Sequence, residues 1–340
     1  MNMENPDQQV LFFQYLKNKN PQHLSFVDEI AQVLHISEDS AYRRIRGDKL
    51  LAFEEIQALC LHYRISLDLL LNLPTHNMLF TGHYIRPGEF NFKAYLDDML
   101  AQFRAIMPHP DKELIYLCKD IPVYHYYQFP ELMAFKYFSW MKTLLNFPEL
   151  KDSKFSLGFM PEDLLLTGRK IAEAYYQVPS IEILNPDNIL TTLRQIEFYK
   201  DAKMFASEED LNKVYDSLEN MVEHMRNMAA EGKKYLPGKT PSLSRGEYQL
   251  YVNDFYVGDN TNLLRLGDKL TCFIVHSGTN FIHTTDKNFC EYSLKFIRNI
   301  ISKSAYISEV AEKERNRFFQ HIQNRIRIYR ESRVKTMGKY

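Results

Sequence analysis

The chain has 340 residues, of which 45% are hydrophobic and 25% charged, and its formal net charge at pH 7 is −1. This composition is typical of a globular protein with more than one domain, and it excludes a chain that is basic throughout its length. No apolar run approaches the roughly 18 residues of a membrane-spanning helix, and the start of the chain has no secretory-signal pattern. The four cysteines form no CxxC pair. We therefore expect a cytoplasmic protein with reduced thiols and no membrane contact.

The first 72 residues are predicted to form a bundle of five short helices. Apolar residues recur there at helical spacing, and short polar or proline-containing breaks separate the runs. Ser25 and Asp28 form a capping-box pattern at the start of the second helix. The predicted helices cover residues 7–19, 25–34, 38–46, 53–63 and 66–73.

The second and third predicted helices are joined by a turn of three residues, "HIS" at 35–37. Ser37 is placed to cap the third helix, and Gly47 is placed to end it in a left-handed conformation. Two helices joined by so short a turn are typical of a helix-turn-helix motif.

The order of these signals resembles the Cro/cI-like helix-turn-helix family, also called the Xre family. The matching residues are Ile30, Ala31 and Leu34, followed by "HIS", "AYRRIRG" and "YRISLDLLL". The resemblance covers residues 8–72 and implies a DNA-binding domain of a bacterial transcription regulator. Nothing in the rest of the chain extends it.

Two residues depart from the family pattern. His35 stands where the family usually has glycine, and histidine tolerates the left-handed conformation that the turn requires. Arg44 stands where the family usually buries valine or isoleucine. We expect Ile45 to take over the inner position together with Ala41, which turns Arg43 directly outward. If Arg44 instead keeps the family register, the outward set shifts by one residue.

The third helix is the candidate recognition helix. Arg43 is predicted to reach base edges, since arginine commonly pairs with guanine O6 and N7. Arg44, Arg46 and Lys49 are predicted to hold phosphates, which sets register rather than sequence. The alternative is the solvated face of an ordinary helical bundle. The predicted DNA-binding residues are Ser37, Asp39, Ser40, Tyr42, Arg43, Arg44, Arg46 and Lys49.

Charge is distributed unevenly within this region. Residues 1–74 carry seven basic and ten acidic side chains, a net charge of −3, whereas 42–49 carry four basic and one acidic, a net of +3. An acidic module disfavours tight nonspecific binding to DNA. The sequence therefore predicts modest affinity per module and a homodimer that binds two half-sites of double-stranded DNA.

Residues 73–90 are predicted to be a linker, and residues 91–340 a larger α+β domain. Helical patterns dominate the domain, so the chain as a whole is predicted to be mostly α. After about residue 246 the pattern alternates, and "HSGTN" is typical of a hairpin turn. We expect a small antiparallel sheet flanked by helices. The domain is predicted to mediate dimerisation and to accept a small-molecule effector.

The longest predicted helix follows residue 207 and carries an apolar stripe. The stripe is compatible with a coiled-coil seam between two chains and equally with a core helix. A second notable segment is 313–340, with nine basic and two acidic residues, a net charge of +7. Its basic face lies along phosphates or is simply solvated. The residues of the apolar stripe are Leu211, Tyr215, Leu218, Val222, Met225 and Ala229.

No motif indicates catalysis, a metal or a cofactor. "PGKT" at 237–240 resembles part of a P-loop, but Gly232 lies one residue too far away and the stretch follows a helix. Cys272, His276 and His283 could meet on a hairpin, although isolated residues of these types are more typical of cores and surfaces. We therefore predict that the protein is not an enzyme.

Two further alternatives remain open. The aromatic residues between Tyr124 and Trp140 either line an effector pocket or pack in the core. The helical module, in turn, either reads DNA directly or docks a protein partner without reading DNA.

Overall fold

The structure is a computed structural model that describes residues 8–19, 25–67, 78–82, 90–241, 246–256, 259–277 and 280–332. The chain divides into two compact units, Met1–Leu79 and Phe80–Tyr340. Each unit encloses its own hydrophobic core. None of the helices within the described ranges combines the length and the apolar character needed to cross a membrane.

The described part of the first unit is helical. Its helices share one core, in which Phe13, Leu16, Ile30, Ala41 and Leu59 are buried. The apolar spacing in the sequence is therefore the spacing of the buried positions. The predicted fifth helix, at 66–73, lies for the most part outside the described residues. The helices are α1 (Gln8–Lys19), α2 (Phe26–Leu34), α3 (Glu38–Ile45) and α4 (Phe53–His62).

The second unit is built on one mixed sheet of eight strands, in the order β1-β7-β6-β5-β2-β3-β4-β8. The central strands β2, β3 and β4 are parallel, and the other pairs are antiparallel. This sheet corrects the expectation of a small antiparallel one. The strands are β1 (Thr81–Gly82), β2 (Lys112–Leu117), β3 (Ser180–Leu184), β4 (Tyr248–Val252), β5 (Thr261–Leu266), β6 (Lys269–Ser277), β7 (Asn280–Thr284) and β8 (Ala305–Tyr306).

Helices cover both faces of this sheet. One face packs on α11, in a layer that includes Ile183, Leu263, Cys272 and Ile297. The other face joins a larger core to which most of the remaining helices contribute. The helices are α5 (Phe92–Ile106), α6 (Val123–Tyr126), α7 (Pro130–Ser139), α8 (Glu162–Tyr175), α9 (Leu190–Asp201), α10 (Glu208–Glu231), α11 (Lys287–Ile301) and α12 (Glu312–Glu331).

The long helix α10 is a core helix. It packs along α12 and against α7, and its apolar stripe is used inside the same chain. A coiled-coil seam through these side chains is therefore wrong, because they are already buried. The buried members of the stripe are Tyr215, Leu218, Val222, Met225 and Ala229, and Leu211 is half-buried.

Part of the basic C-terminal segment is neutralised within the second unit. Arg325 lies 3.2 Å from the carboxylate of Asp187, and Arg330 lies 2.7 Å from that of Asp216. Arg315 is buried and donates hydrogen bonds to two backbone carbonyls. These side chains anchor α12 to the unit, which reduces the charge available to phosphates.

The aromatic segment is mainly core. Tyr126, Tyr127, Phe135 and Phe138 are buried in the large cluster, whereas Tyr124 is half-buried and lines a cavity. Most of these rings therefore stabilise the fold by packing against one another.

Cys272 and His283 do not meet. Strand register pairs His283 with Phe273, so His283 shares the face of Phe273, and Cys272 lies in the layer under α11 on the opposite face. Within the described ranges, no three His, Cys, Asp or Glu side chains are grouped so as to hold a metal ion.

Glu182 on β3 is completely buried at the centre of a polar cluster. Its carboxylate accepts hydrogen bonds from His125 at 3.0 Å, from the Tyr248 hydroxyl at 2.9 Å and from Tyr175. Burial opposes ionisation of this carboxyl, but His125 and the donated hydrogen bonds hold its pKa below the usual value. The cluster fixes α6 and α8 to two central strands, and we interpret it as structural.

We expect the parent protein to lose stability in mild acid, and we expect His224→Gln to remove that loss. Burial lowers the pKa of His224 from 6.5 to about 4, and its ring donates a hydrogen bond to the Tyr235 carbonyl at 2.7 Å. The folded state therefore binds this proton less readily than the unfolded state. The free energy of unfolding of the parent protein falls as the pH drops from 6.5 to about 4.

Urea denaturation of parent and H224Q across that pH range measures the effect. The parent should lose about 2 kcal/mol more than the variant, less than the full pKa shift implies because the ring is only half-buried. An identical pH dependence of the two proteins would contradict a neutral His224 in the folded state.

Candidate nucleic-acid interface

The connection between α2 and α3 is a turn of three residues. His35 ends α2 in the left-handed conformation, with φ 52° and ψ 45°. The N–H of Ile36 donates to the Ala31 carbonyl at 3.0 Å, which satisfies one of the last carbonyls of α2. The expectation that histidine supports this turn is confirmed, and the turn sets how α3 leaves α2.

Ser37 caps α3, as predicted. Its Oγ accepts a hydrogen bond from the backbone N–H of Ser40 at 3.3 Å, and its hydroxyl donates to Ser40 Oγ at 3.0 Å. Two of the predicted DNA-binding residues thus also hold the first turn of α3. The capping box predicted at Ser25 is absent, because the Ser25 side chain makes no cap hydrogen bond.

Arg44 is the predicted DNA-binding residue that the structure places inside the module. It is 5% exposed. Its Nε and Nη2 donate to the two carboxylate oxygens of Glu55, on α4, at 2.9 and 2.6 Å. Its Nη1 donates to the Ser40 carbonyl at 3.1 Å. The hydrogen bond from Arg44 holds the pKa of Glu55 below its usual value.

The expectation that Arg44 holds phosphate is therefore wrong. Arg44 takes the inner position expected for Ile45, and Ile45 is only half-buried beside it. The bidentate pair with Glu55 makes burial of the arginine tolerable, because both partners satisfy each other's hydrogen-bonding groups. Arg44 thus fixes α3 against α4.

The outward charge of this region is smaller than the sequence suggests. Residues 42–49 have a net charge of +3, but Glu55 neutralises Arg44. Subtracting that charge leaves +2 for the same residues. Residues 42–49 can then neutralise fewer DNA phosphates, which favours a modest affinity for DNA.

The outward face of α3 carries Asp39, Arg43 and Arg46, all exposed. At about 100° per residue, these positions lie opposite the buried Ala41 and Arg44. Arg43 therefore points outward in the observed register as well as in the predicted one. Among the residues that the structure describes, Arg43 has no ion-pair or side-chain hydrogen-bond partner.

Arg46 and Tyr42 lie together on one side of this face. The Arg46 guanidinium is 5.6 Å from the centre of the Tyr42 ring, and its Nε is 3.7 Å from the Asp48 carboxylate. Both contacts are exposed to solvent and weak. Arg46 can therefore exchange them for a phosphate or a base edge.

Gln9 of α1 fixes the loop that follows α3. Its Nε2 donates to the backbone carbonyls of Arg44 and Lys49, each at 2.8 Å, and its Oε1 accepts the N–H of Leu51 at 2.8 Å. The Lys49 side chain is exposed on this anchored loop. Sequence reasoning missed Gln9, because a single glutamine in an amphipathic helix carries no signal of contacts some forty residues away.

We expect Gln9→Ala to lower the free energy of unfolding of the first unit by about 2 kcal/mol, because it removes three hydrogen bonds to backbone groups of α3 and the following loop. Urea denaturation measures the change. Gln14→Ala is the matched control, since Gln14 is exposed on the same helix. Equal stabilities of Q9A and Q14A would show that the hydrogen bonds of Gln9 contribute nothing to the loop.

Comparisons with models of protein families, with curated proteins and with solved structures found no match to this chain. The interpretation of α3 therefore depends on its geometry and chemistry. A short helix that presents two arginines beside an anchored lysine can contact base edges and phosphates of DNA at the same time.

Proposed function

We propose that the protein is a DNA-binding transcription regulator whose helix α3 enters the major groove of double-stranded DNA. The observation that carries this proposal is the exposed, outward Arg43 on a helix fixed by a capped turn and by the internal Arg44–Glu55 pair. Arg43 reads guanine, and Asp39 is placed to accept a hydrogen bond from a cytosine amino group. Arg46 and Lys49 hold the backbone.

The protein acts as a homodimer in this proposal. With Arg44 neutralised, residues 42–49 keep a net charge of +2 in a module whose total charge is −3, so one module alone binds DNA weakly. Two modules on half-sites about 34 Å apart, one helical turn of DNA, supply the missing affinity. The second unit supplies the dimer contacts and accepts the effector that controls them.

A salt titration of DNA binding tests the proposal. Fluorescence anisotropy follows the full-length protein as it binds labelled random-sequence duplexes at increasing salt. Affinity should fall steeply with salt, and the double variant Arg43→Ala/Arg46→Ala should bind far more weakly than the control Lys17→Ala, which removes an exposed charge from α1. An affinity that does not change with salt concentration, or the absence of binding by the parent protein, would contradict DNA recognition.

One observation favours a second candidate function, a protein-interaction module. Leu50, in the loop before α4, and Phe53, the first residue of α4, are 76% and 75% exposed, and neighbouring apolar side chains of this kind are typical of contact surfaces. If this function is correct, the parent shows no salt-dependent DNA binding. Leu50→Ser/Phe53→Ser would then abolish self-association in sedimentation experiments.

A further inference from the structure

A cavity of about 770 Å³ lies in the second unit, between α5 and the antiparallel half of the sheet. Protein interiors are close-packed and contain few voids larger than a water molecule. The volume falls in the range of pockets that hold small-molecule ligands. The cavity opens to solvent, so a ligand of that size can enter it.

Helix α5 forms one wall and uses two different stripes of side chains. Leu96 and Leu100 are buried in the large core, where α5 packs against α8. Tyr95, Met99 and Phe103, which follow the next stripe along the helix, line the cavity. Met99 and Phe103 also belong to the large core, so the cavity wall does not depend on an occupant for its position.

The sheet forms the other wall. Asn262 and Leu264 alternate on β5, so both face the cavity, whereas Leu263 between them faces the layer under α11. Phe273 on β6 and Phe281 on β7 continue this wall. Most of the cavity surface is consequently aromatic or aliphatic, which favours an apolar occupant.

The Asn262 amide lies beside the Tyr116 hydroxyl, but its Oδ1 has no hydrogen-bond donor among the described residues. Its side chain is 5% exposed, and its Oδ1 accepts no hydrogen bond from any group that the structure describes. A buried carbonyl without a donor is costly, and native proteins rarely leave one unmet. A ligand that brings an N–H or O–H group to this oxygen removes the cost.

The charges around the cavity limit the ligand class. Among the described residues that line it there is no lysine or arginine, and Asp98 adds a carboxylate at its edge. His283 also lines the cavity, and apart from it the described lining residues offer no basic side chain to hold a carboxylate or a phosphate. We propose that this cavity binds an uncharged, largely apolar small molecule that donates a hydrogen bond to Asn262 Oδ1.

The ligand site stands independently of DNA binding, and only its role as the effector site rests on the proposed function. Dye binding is measured without DNA. Failure of the ligand site and failure of DNA recognition are therefore separate results.

The test uses two dyes with the same ring system. N-phenylnaphthylamine is uncharged and has one N–H donor, whereas anilinonaphthalene sulfonate carries a negative charge. Titration of the full-length protein should give saturable fluorescence with one N-phenylnaphthylamine per chain and at least about tenfold weaker binding of the sulfonate. The absence of a saturable signal, which is expected if the chain itself fills the cavity, would overturn the proposal. Equal affinity for both dyes would also overturn it.

Three variants locate the binding site. Ala94→Trp places a large ring at a cavity-lining position of α5 and should abolish dye binding, while Arg104→Trp, exposed on the same helix but outside the cavity, should not. Asn262→Leu should weaken the dye by about tenfold, and Asn299→Leu on α11 should leave it unchanged. Thermal denaturation confirms that each variant is folded. Unchanged binding by folded A94W, or by folded N262L, would overturn the proposal.

Discussion

Replacing Arg43 and Arg46 together by alanine should weaken DNA binding by about 2–6 kcal/mol, the largest effect that we expect on function. Each arginine that pairs with a base edge or a phosphate contributes about 1–3 kcal/mol. Neither side chain holds the module together: both are exposed, and the one ion pair of Arg46, with Asp48, is exposed too. The free energy of unfolding should stay within about 0.5 kcal/mol of the parent value.

The single variants separate base reading by Arg43 from phosphate binding by Arg46. Arg43→Ala should relax the preference for guanine at one position of the site. Arg46→Ala should weaken binding to all sequences alike and reduce the salt dependence by about one phosphate contact. Anisotropy titrations on a selected site and on a scrambled one measure both effects. If R43A and R46A bind as tightly as the parent protein, α3 is not the recognition helix.

Arg44→Met should lower the free energy of unfolding of the first unit by about 2–3 kcal/mol, because the Glu55 carboxylate loses its bidentate partner but stays partly exposed and keeps the hydrogen bond from the Ala52 N–H. Methionine fills a similar volume without a charge. The double variant Arg44→Met/Glu55→Met should recover most of the loss, since two apolar side chains often replace a buried ion pair without cost. Urea denaturation of the four proteins in this cycle gives the coupling energy.

The stabilisation by the Arg44–Glu55 pair should also depend on pH in a defined direction. Arg44 lowers the pKa of Glu55 below the usual 4.5, so the stabilisation is complete above that pH and is lost as the pH falls through the lowered value. The difference between parent and R44M should therefore shrink in strong acid. If R44M leaves stability unchanged and instead reduces the salt dependence of DNA binding, Arg44 contacts phosphate and the internal pair is not formed in solution.

Local signals predicted much of the first unit. Apolar spacing indicated α1, α2 and α4, and Ser37 and His35 indicated where α3 begins and how the turn is made. Arg44 could not be assigned from the sequence, because Ala41 is followed by two candidates for the inner face, Arg44 and Ile45. The deciding partner, Glu55, lies eleven residues away on another helix.

The second unit was predicted less well because its centre is parallel. The hairpin of β6 and β7 was found from its alternating pattern and its turn, and it is confirmed. Strand β3 was missed because a central strand covered on both faces shows no alternation and has only five residues. The cavity at Asn262 depends on contacts between distant segments, so no local pattern could indicate it.

Selection of bound duplexes from a random-sequence pool, followed by sequencing, tests the central claim most directly. The parent protein should enrich paired half-sites whose centres lie about 10 base pairs, or a multiple of that, apart. Arg43→Ala should enrich sites that have lost a guanine preference in each half-site. A parent that enriches no sequence, or an R43A variant that enriches the same sites as the parent, would contradict recognition by α3.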